Sequence, residues 1–163
     1  MDIEVVVADY LNKQHGTDIV TLLNVYAEDP MGGGEPLSSY TKENLVAHLA
    51  KLSYAFSLIS YVGKEPAGLI NCFYGFSSFS CKPLINIHDI VVLDRFRGHG
   101  ISQLMLAEVE RIAREKGCCK ITLEVLEGNI AAQQAYLKYG FAGYELDPML
   151  GKALFWQKSL EST

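Results

Sequence analysis

The sequence lacks the features that would place it in several broad classes. No run approaches the ~18 uninterrupted apolar residues of a membrane span. Its start, Met1-Asp2-Ile3-Glu4, is acidic where a secretory leader is basic. A membrane partner is therefore not expected, and the expected compartment is the cytoplasm. Basic residues are in deficit, 14 Lys and Arg against 19 Asp and Glu, for a net charge of −5. Such a chain is poorly suited to gripping a nucleic-acid backbone, although a local basic patch can hold one anionic ligand. Cysteine is sparse: Cys72, Cys81, Cys118 and Cys119 form no Cys-x-x-Cys pair and no disulfide framework, so they are read as reduced. His15, His48, His88 and His99 lie far apart without metal-ligand spacing, and no metal is predicted. Repeats, long charge blocks and Pro/Ser-rich linkers are absent too, so residues 1–163 read as one domain. What the chain does have is core material, since 49% of it is apolar and only 20% charged, a balance that excludes disorder.

The period of the apolar residues gives the order of elements. Ile3 to Ala8 is short and β-branched, an opening strand. Asp18 is placed to cap a helix carrying Ile19, Leu22, Leu23 and Tyr26 on one face, which Pro30 and Gly32-Gly33-Gly34 end. Thr41 is placed to cap a second helix with Leu45, Leu49 and Leu52 on one face. Phe56–Val62 and Ala67–Phe76 read as a hairpin around Gly63 to Pro66. From Leu84 to Leu93 the alternation changes phase at His88-Asp89, where a β-bulge would reconcile the two halves. Ile101, Met105, Leu106, Val109, Ile112 and Ala113 then form one face of a helix that Gly117 stops. A strand from Lys120 to Leu126 implies a right-handed parallel crossover. Asn129 is placed to cap a further helix ending at Gly140, and Phe141–Leu146 and Ala153–Leu160 read as two closing strands. The economical architecture is α/β, a mixed sheet with helices on both faces.

The chemistry concentrates in Arg95-Phe96-Arg97-Gly98-His99-Gly100, between a strand and the long helix. Two glycines permit backbone conformations in which successive N–H groups converge on one anion at a helix N-terminus. Arg95 and Arg97 add positive charge suited to a pyrophosphate. The plain alternative is a tight turn with solvated arginines. A dinucleotide fingerprint is excluded because Gln103 stands where its third glycine belongs, and a P-loop because His99-Gly100-Ile101 follows Gly98.

Arg-x-x-Gly-x-Gly resembles motif A of the GNAT superfamily of N-acetyltransferases, a polyamine or diamine acetyltransferase-like branch being one option within it. Asp89-Ile90-Val91-Val92 resembles the family's fourth strand, Ile101-Ser102 the start of its third helix, and Leu123-Glu124-Val125 its fifth strand. Asn129, Ala132, Tyr136, Gly140 and Phe141 resemble motif B. The resemblance covers roughly Ile85 to Tyr144. It implies the family fold: a mostly antiparallel sheet with a central, splayed parallel strand pair. It also implies acetyl-CoA as co-substrate, with Arg95, Arg97, Gly98, His99, Gly100, Ile101 and Ser102 at the pyrophosphate. Backbone groups of Ile90, Val91 and Val92 would lie along the pantetheine, and Asn129 would both cap its helix and contact the cofactor.

An alkyl ammonium has a pKa near ~10 and must lose a proton before it can attack a thioester, so a base or a water chain is required. Under the resemblance His88 stands where polyamine-type members carry a glutamate, with Asp89 after it. An imidazole titrating near ~6.5 suits the task, though a structural histidine bonded to Asp89 is the competing reading and Glu124 is the reserve candidate. Tyr136 matches the tyrosine that protonates or positions the leaving thiol, against the alternative of simple core packing. Phe73, Tyr74, Phe76 and Phe79 are candidates for an acceptor pocket, and Glu28, Asp29 and Glu35 would suit a cationic amine. The expected activity is acetyl transfer to a primary amine, a small molecule before a protein, by direct attack in a ternary complex. A non-catalytic acyl-CoA sensor of the same fold is the alternative. The acceptor, the acyl chain length and the oligomeric state, a homodimer included, stay open.

Overall fold

A computed structural model describes residues 1–161; Ser162 and Thr163, included in the single domain expected from the sequence, lie outside the described residues. The β-branched opening forms β1 (Ile3–Val7), and α1 (Lys13–Glu28) follows. Asn12, not Asp18, caps α1, its side chain accepting from the amides of Gln14 and His15. Asp18 lies buried within the helix, where its carboxylate accepts from Tyr61 Oη at 2.6 Å and Gln14 Nε2 at 2.9 Å. The helical period located the apolar face but not the entry, because an acid one turn inside a helix looks like a cap until its cross-sheet partner is known. Likewise Ser38 rather than Thr41 caps α2 (Ser39–Ala50), accepting from the Thr41 amide.

Three long strands follow, β2 (Ala55–Val62), β3 (Glu65–Ser77) and β4 (Lys82–Val92), then α3 (Ile101–Glu115), β5 (Ile121–Leu123) and α4 (Ile130–Tyr139). The five strands make one sheet in chain order, antiparallel from β1 to β4 and parallel between β4 and β5. The two closing strands do not form. A single backbone hydrogen bond, from the Ala153 amide to the Tyr144 carbonyl, joins those segments, and Leu154, Phe155 and Trp156 stay exposed. With β5 ending at Leu123 there is no ladder for them to extend, so the parallel pair closes one end of the sheet.

Each face of the sheet is covered. Ile101, Met105, Leu106, Val109, Ile112 and Ala113 of α3 bury against Leu58, Ile70, Ile85 and Ile87. On the opposite face Ile19 and Leu22 of α1 meet Ile59, Leu69 and Val91. Each such side chain contributes roughly 1.5–3 kcal/mol through burial. The bulge expected in β4 is present: Asn71 pairs with Asp89 and Cys72 with Ile87, leaving His88 as the extra residue. It lets Ile85, Ile87, Ile90 and Val92 all serve the α3 face.

Candidate active site

The parallel ladder between β4 and β5 ends at Ile87 and Leu123, while β4 continues to Val92. The strands therefore fork, and the β4 backbone from His88 onward has no β5 neighbour. A cavity of about 810 Å³ fills the fork and runs to the start of α3. Ile90, Val91 and Val92 line one wall; Glu124, Asn129 and Tyr136 line the other; Arg97, Gly98, Gly100, Ile101 and Ser102 close its end.

The loop entering α3 is built to present amides. Gly98 has φ 81° and Gly100 φ 77°, left-handed conformations that disfavour any residue with a Cβ. A Cβ added at either would meet nothing within 4 Å, so the glycines are required by backbone conformation, not by crowding. Gly100 caps α3 without a side-chain hydrogen bond. Among the described residues the amides from Gly98 to Gln103 have no protein acceptor, and the first ladder bond of the helix runs from Leu104 to the Gly100 carbonyl. Six consecutive donors at a helix N-terminus offer an anion more N–H groups than the helix itself uses.

The two arginines behave differently. Arg97 lines the cavity, bonding the Val92 carbonyl through Nε at 3.2 Å and Asp94 through Nη1 at 3.0 Å. Arg95 turns away to Glu65 at 2.8 Å and lies over the Phe96 ring, and neither it nor His99 lines the cavity.

Tyr136 is 8% exposed, packs edge-on against Phe141 and lines the cavity. Burial, reinforced by nearby Tyr26, pushes its hydroxyl up to about 12, so it stays protonated at neutral pH. Asn129 accepts from the Ala132 amide at 3.2 Å as the α4 cap while lining the cavity.

A second cavity of about 300 Å³ adjoins the first, and Tyr26 and His88 line both. Leu23, Leu37, Leu45, Leu49 and Phe73 give it apolar walls, and Asn71 and Asp89 supply polar groups. Of the four aromatic residues read as acceptor candidates only Phe73 is there. Tyr74 packs on Phe56, and Phe76 and Phe79 are exposed near the β3–β4 turn. Asp29 lines the larger cavity, whereas Glu28 and Glu35 line neither. At the junction His88 Nδ1 lies 3.3 Å from Asp89 Oδ1, and the imidazole stands edge-on to Phe73. The hydrogen bond to Asp89 raises His88 above the ordinary histidine value, against the opposing effect of burial. Tyr26 was legible only as a core residue on an apolar helix face. Its place between the cavities depends on where α1 crosses the sheet, which helical spacing does not encode. Burial and then Asp89 and Asp29 hold its phenol above the usual range.

Comparison with known proteins fits this geometry. The sequence profile of the Acetyltransferase (GNAT) family matches residues 11–141. The chain belongs to the GNAT acetyltransferase family. A thialysine N-ε-acetyltransferase from Bos taurus is 34% identical over 80 residues, 47% of either chain. A streptothricin acetyltransferase from Streptomyces lavendulae is 38% identical over 66 residues, 40% of this chain and 35% of the relative. The match takes in about half the length of the thialysine enzymes and of this chain. Among solved structures, an aminoglycoside N-acetyltransferase in complex with CoA superposes with a TM-score of 0.73 over 96% of this chain and 95% of its own. At 19% identity it shows a shared GNAT fold.

Proposed function

We propose that this GNAT chain transfers the acetyl group of acetyl-CoA to a primary amine on a short, mainly aliphatic small molecule, by direct attack with both substrates bound. The meeting of the two cavities at His88 and Tyr26 carries this reading. The larger cavity has the donor set that acetyl-CoA needs: free amides from Gly98 to Gln103 and Arg97 for the pyrophosphate, and an unpaired β4 edge for the pantetheine. The bound donor supplies an acyl group activated as a thioester. The smaller cavity, apolar along its walls with the Asp89 carboxylate at one end, suits an ammonium on an aliphatic chain.

The residues then divide the work. Asp89 attracts the ammonium, and His88, neutral above its raised pKa, accepts a proton from it and leaves the nitrogen lone pair free. Amides of β4 beside Val91 stabilise negative charge developing on the thioester oxygen, each such donor being worth typically ~3 kcal/mol. Tyr136, protonated below about 12, donates to the departing sulfur. Relatives acting on thialysine and streptothricin support an amine acceptor, and the volume of about 300 Å³ favours a small one.

Calorimetry with acetyl-CoA, followed by free-thiol detection over a panel of diamines, amino acids, aminoglycosides and peptides, tests the reading. Binding, with fastest thiol release for diamines or lysine-like amines, is expected. Binding without thiol release from any amine would favour the acyl-CoA sensor instead. Equal binding of ATP would reduce the site to a general nucleotide pocket.

A further inference from the structure

Beneath α1 and α2 a buried row of polar side chains crosses the sheet perpendicular to the strands. Ser57 on β2 stands opposite Asn71 on β3, and Asn71 opposite Asp89 on β4. Ser57 is 0% and Asn71 4% exposed, beside Ile59, Leu69 and Val91. Hydrogen bonds connect the row: Tyr10 Oη to Ser57 Oγ at 2.8 Å, Ser57 Oγ to Asn71 Oδ1 at 2.6 Å, and Asn71 Nδ2 to Asp89 Oδ2 at 3.1 Å. An unbonded polar group in such a layer costs about 1–3 kcal/mol, so three adjacent ones persist only as a satisfied chain.

Only one polarity satisfies it. An ionised Asp89 accepts and cannot donate, so Asn71 must offer its NH₂, which turns its carbonyl oxygen toward Ser57. Ser57 spends its single proton on that oxygen, and Tyr10 must donate to Ser57. Every donor in the chain points toward Asp89. The remaining Asp89 oxygen faces His88 Nδ1 at 3.3 Å, long for a charge-assisted bond and so dependent on how firmly the carboxylate is held.

We infer that Tyr10, Ser57 and Asn71 are positioning residues that hold the Asp89 carboxylate in one orientation, so that His88 carries its proton on Nδ1 and presents a bare Nε2 to the amine. The inference rests on the proposed role of His88 as proton acceptor. A solvated imidazole favours the opposite tautomer, with the proton on Nε2, which has nothing to accept with on the substrate side. The titratable groups around His88 are Asp89 on β4, Glu124 beyond β5 and Tyr26 on α1; Phe73 of β3 and Leu45 and Leu49 of α2 add none. Among the described residues Asp89 alone lies within ion-pair distance of the ring.

The test is ¹⁵N NMR of the His88 imidazole in the full chain, alongside kcat against pH. Wild type should show the Nδ1–H form above its titration, with the acid limb of kcat sitting above the ordinary value near ~6.5. Asn71→Leu should return His88 toward the Nε2–H form, move its titration and the acid limb down together, and lower kcat about 10-fold or more with KM for acetyl-CoA unchanged. Ser57→Ala should shift the tautomer the same way by less, and it decides the matter if Asn71→Leu fails to fold. An Nε2–H tautomer in wild type, or an Nδ1–H tautomer unmoved in the variants that fold, would overturn the inference. Should His88→Gln leave the pH profile unaltered while the tautomer responds to Asn71→Leu, the relay stands and the role of His88 as base falls.

Discussion

Replacing Tyr136 by Phe separates chemistry from packing at the centre of the site. Among the described residues the Tyr136 hydroxyl has no protein hydrogen-bond partner, while its ring packs against Phe141 and lines the larger cavity. Phenylalanine keeps the ring and loses only the hydroxyl. No folded-state bond is broken, so stability should be nearly unchanged, a shift of at most about 2 °C in Tm at this chain length. Turnover should respond differently. A thiol titrates near ~8.5, so its thiolate leaves without assistance more readily than an alkoxide would. The loss should then lie at the low end of general-acid effects, about 100-fold in kcat, or ~2.7 kcal/mol at 1.36 kcal/mol per decade. KM for acetyl-CoA should change by less than about threefold, since the amides from Gly98 to Gln103 are untouched. Because burial holds the phenol up to about 12, wild type should show no alkaline loss of kcat from Tyr136 below pH ~10. Free-thiol release across pH with a parallel thermal melt measures all of this. An unchanged kcat, or a fall in kcat matched by a fall in Tm, would refute the assignment and return Tyr136 to the core.

Gly98→Val forces a β-branched residue toward φ 81°, a conformation costing roughly 1–2 kcal/mol or more. Calorimetry should show acetyl-CoA binding weakened at least about 10-fold by the reoriented amides, with the fold retained since no neighbour is struck. The arginines should split: Arg97→Ala weakens acetyl-CoA binding about 5-fold or more, whereas Arg95→Ala, whose exposed pair with Glu65 is worth ~0–1 kcal/mol, changes it less than about twofold. Tyr61→Phe removes one of the two side-chain hydrogen bonds held by buried Asp18 and should cost about 1–3 kcal/mol in a denaturation melt, with kcat unaltered.

The glycine turn before α3 and the fourth strand were legible because their signals are local. Gly98 and Gly100 announce left-handed backbone wherever they stand, and the phase change at His88-Asp89 requires an extra residue whatever β4 pairs with. What sequence withheld was registration. Ser57, Asn71 and Asp89 are 14 and 18 positions apart along the chain, and only strand pairing puts them in one row. The same limit hid Tyr26, an aromatic on an apolar helix face until the facing strands are placed. The closing strands failed for a different reason. Phe141–Leu146 and Ala153–Leu160 have the composition of strands, but composition supplies no partner, and β5 stops before it can offer one.

The fork between β4 and β5 leaves several residues of strand backbone unclaimed. At the margin of a sheet such a stretch would recruit foreign chains, and proteins ordinarily blunt it with charge or proline. Here it lies inside a cavity that Tyr26, Ala132 and Tyr136 also line, so an approaching chain meets their side chains as well as the free backbone. Shelter of this kind substitutes for gatekeeper residues. It leaves Ile90, Val91 and Val92 free to remain aliphatic, and a mutation that swung α4 outward should reveal itself as self-association alongside the turnover lost with Tyr136.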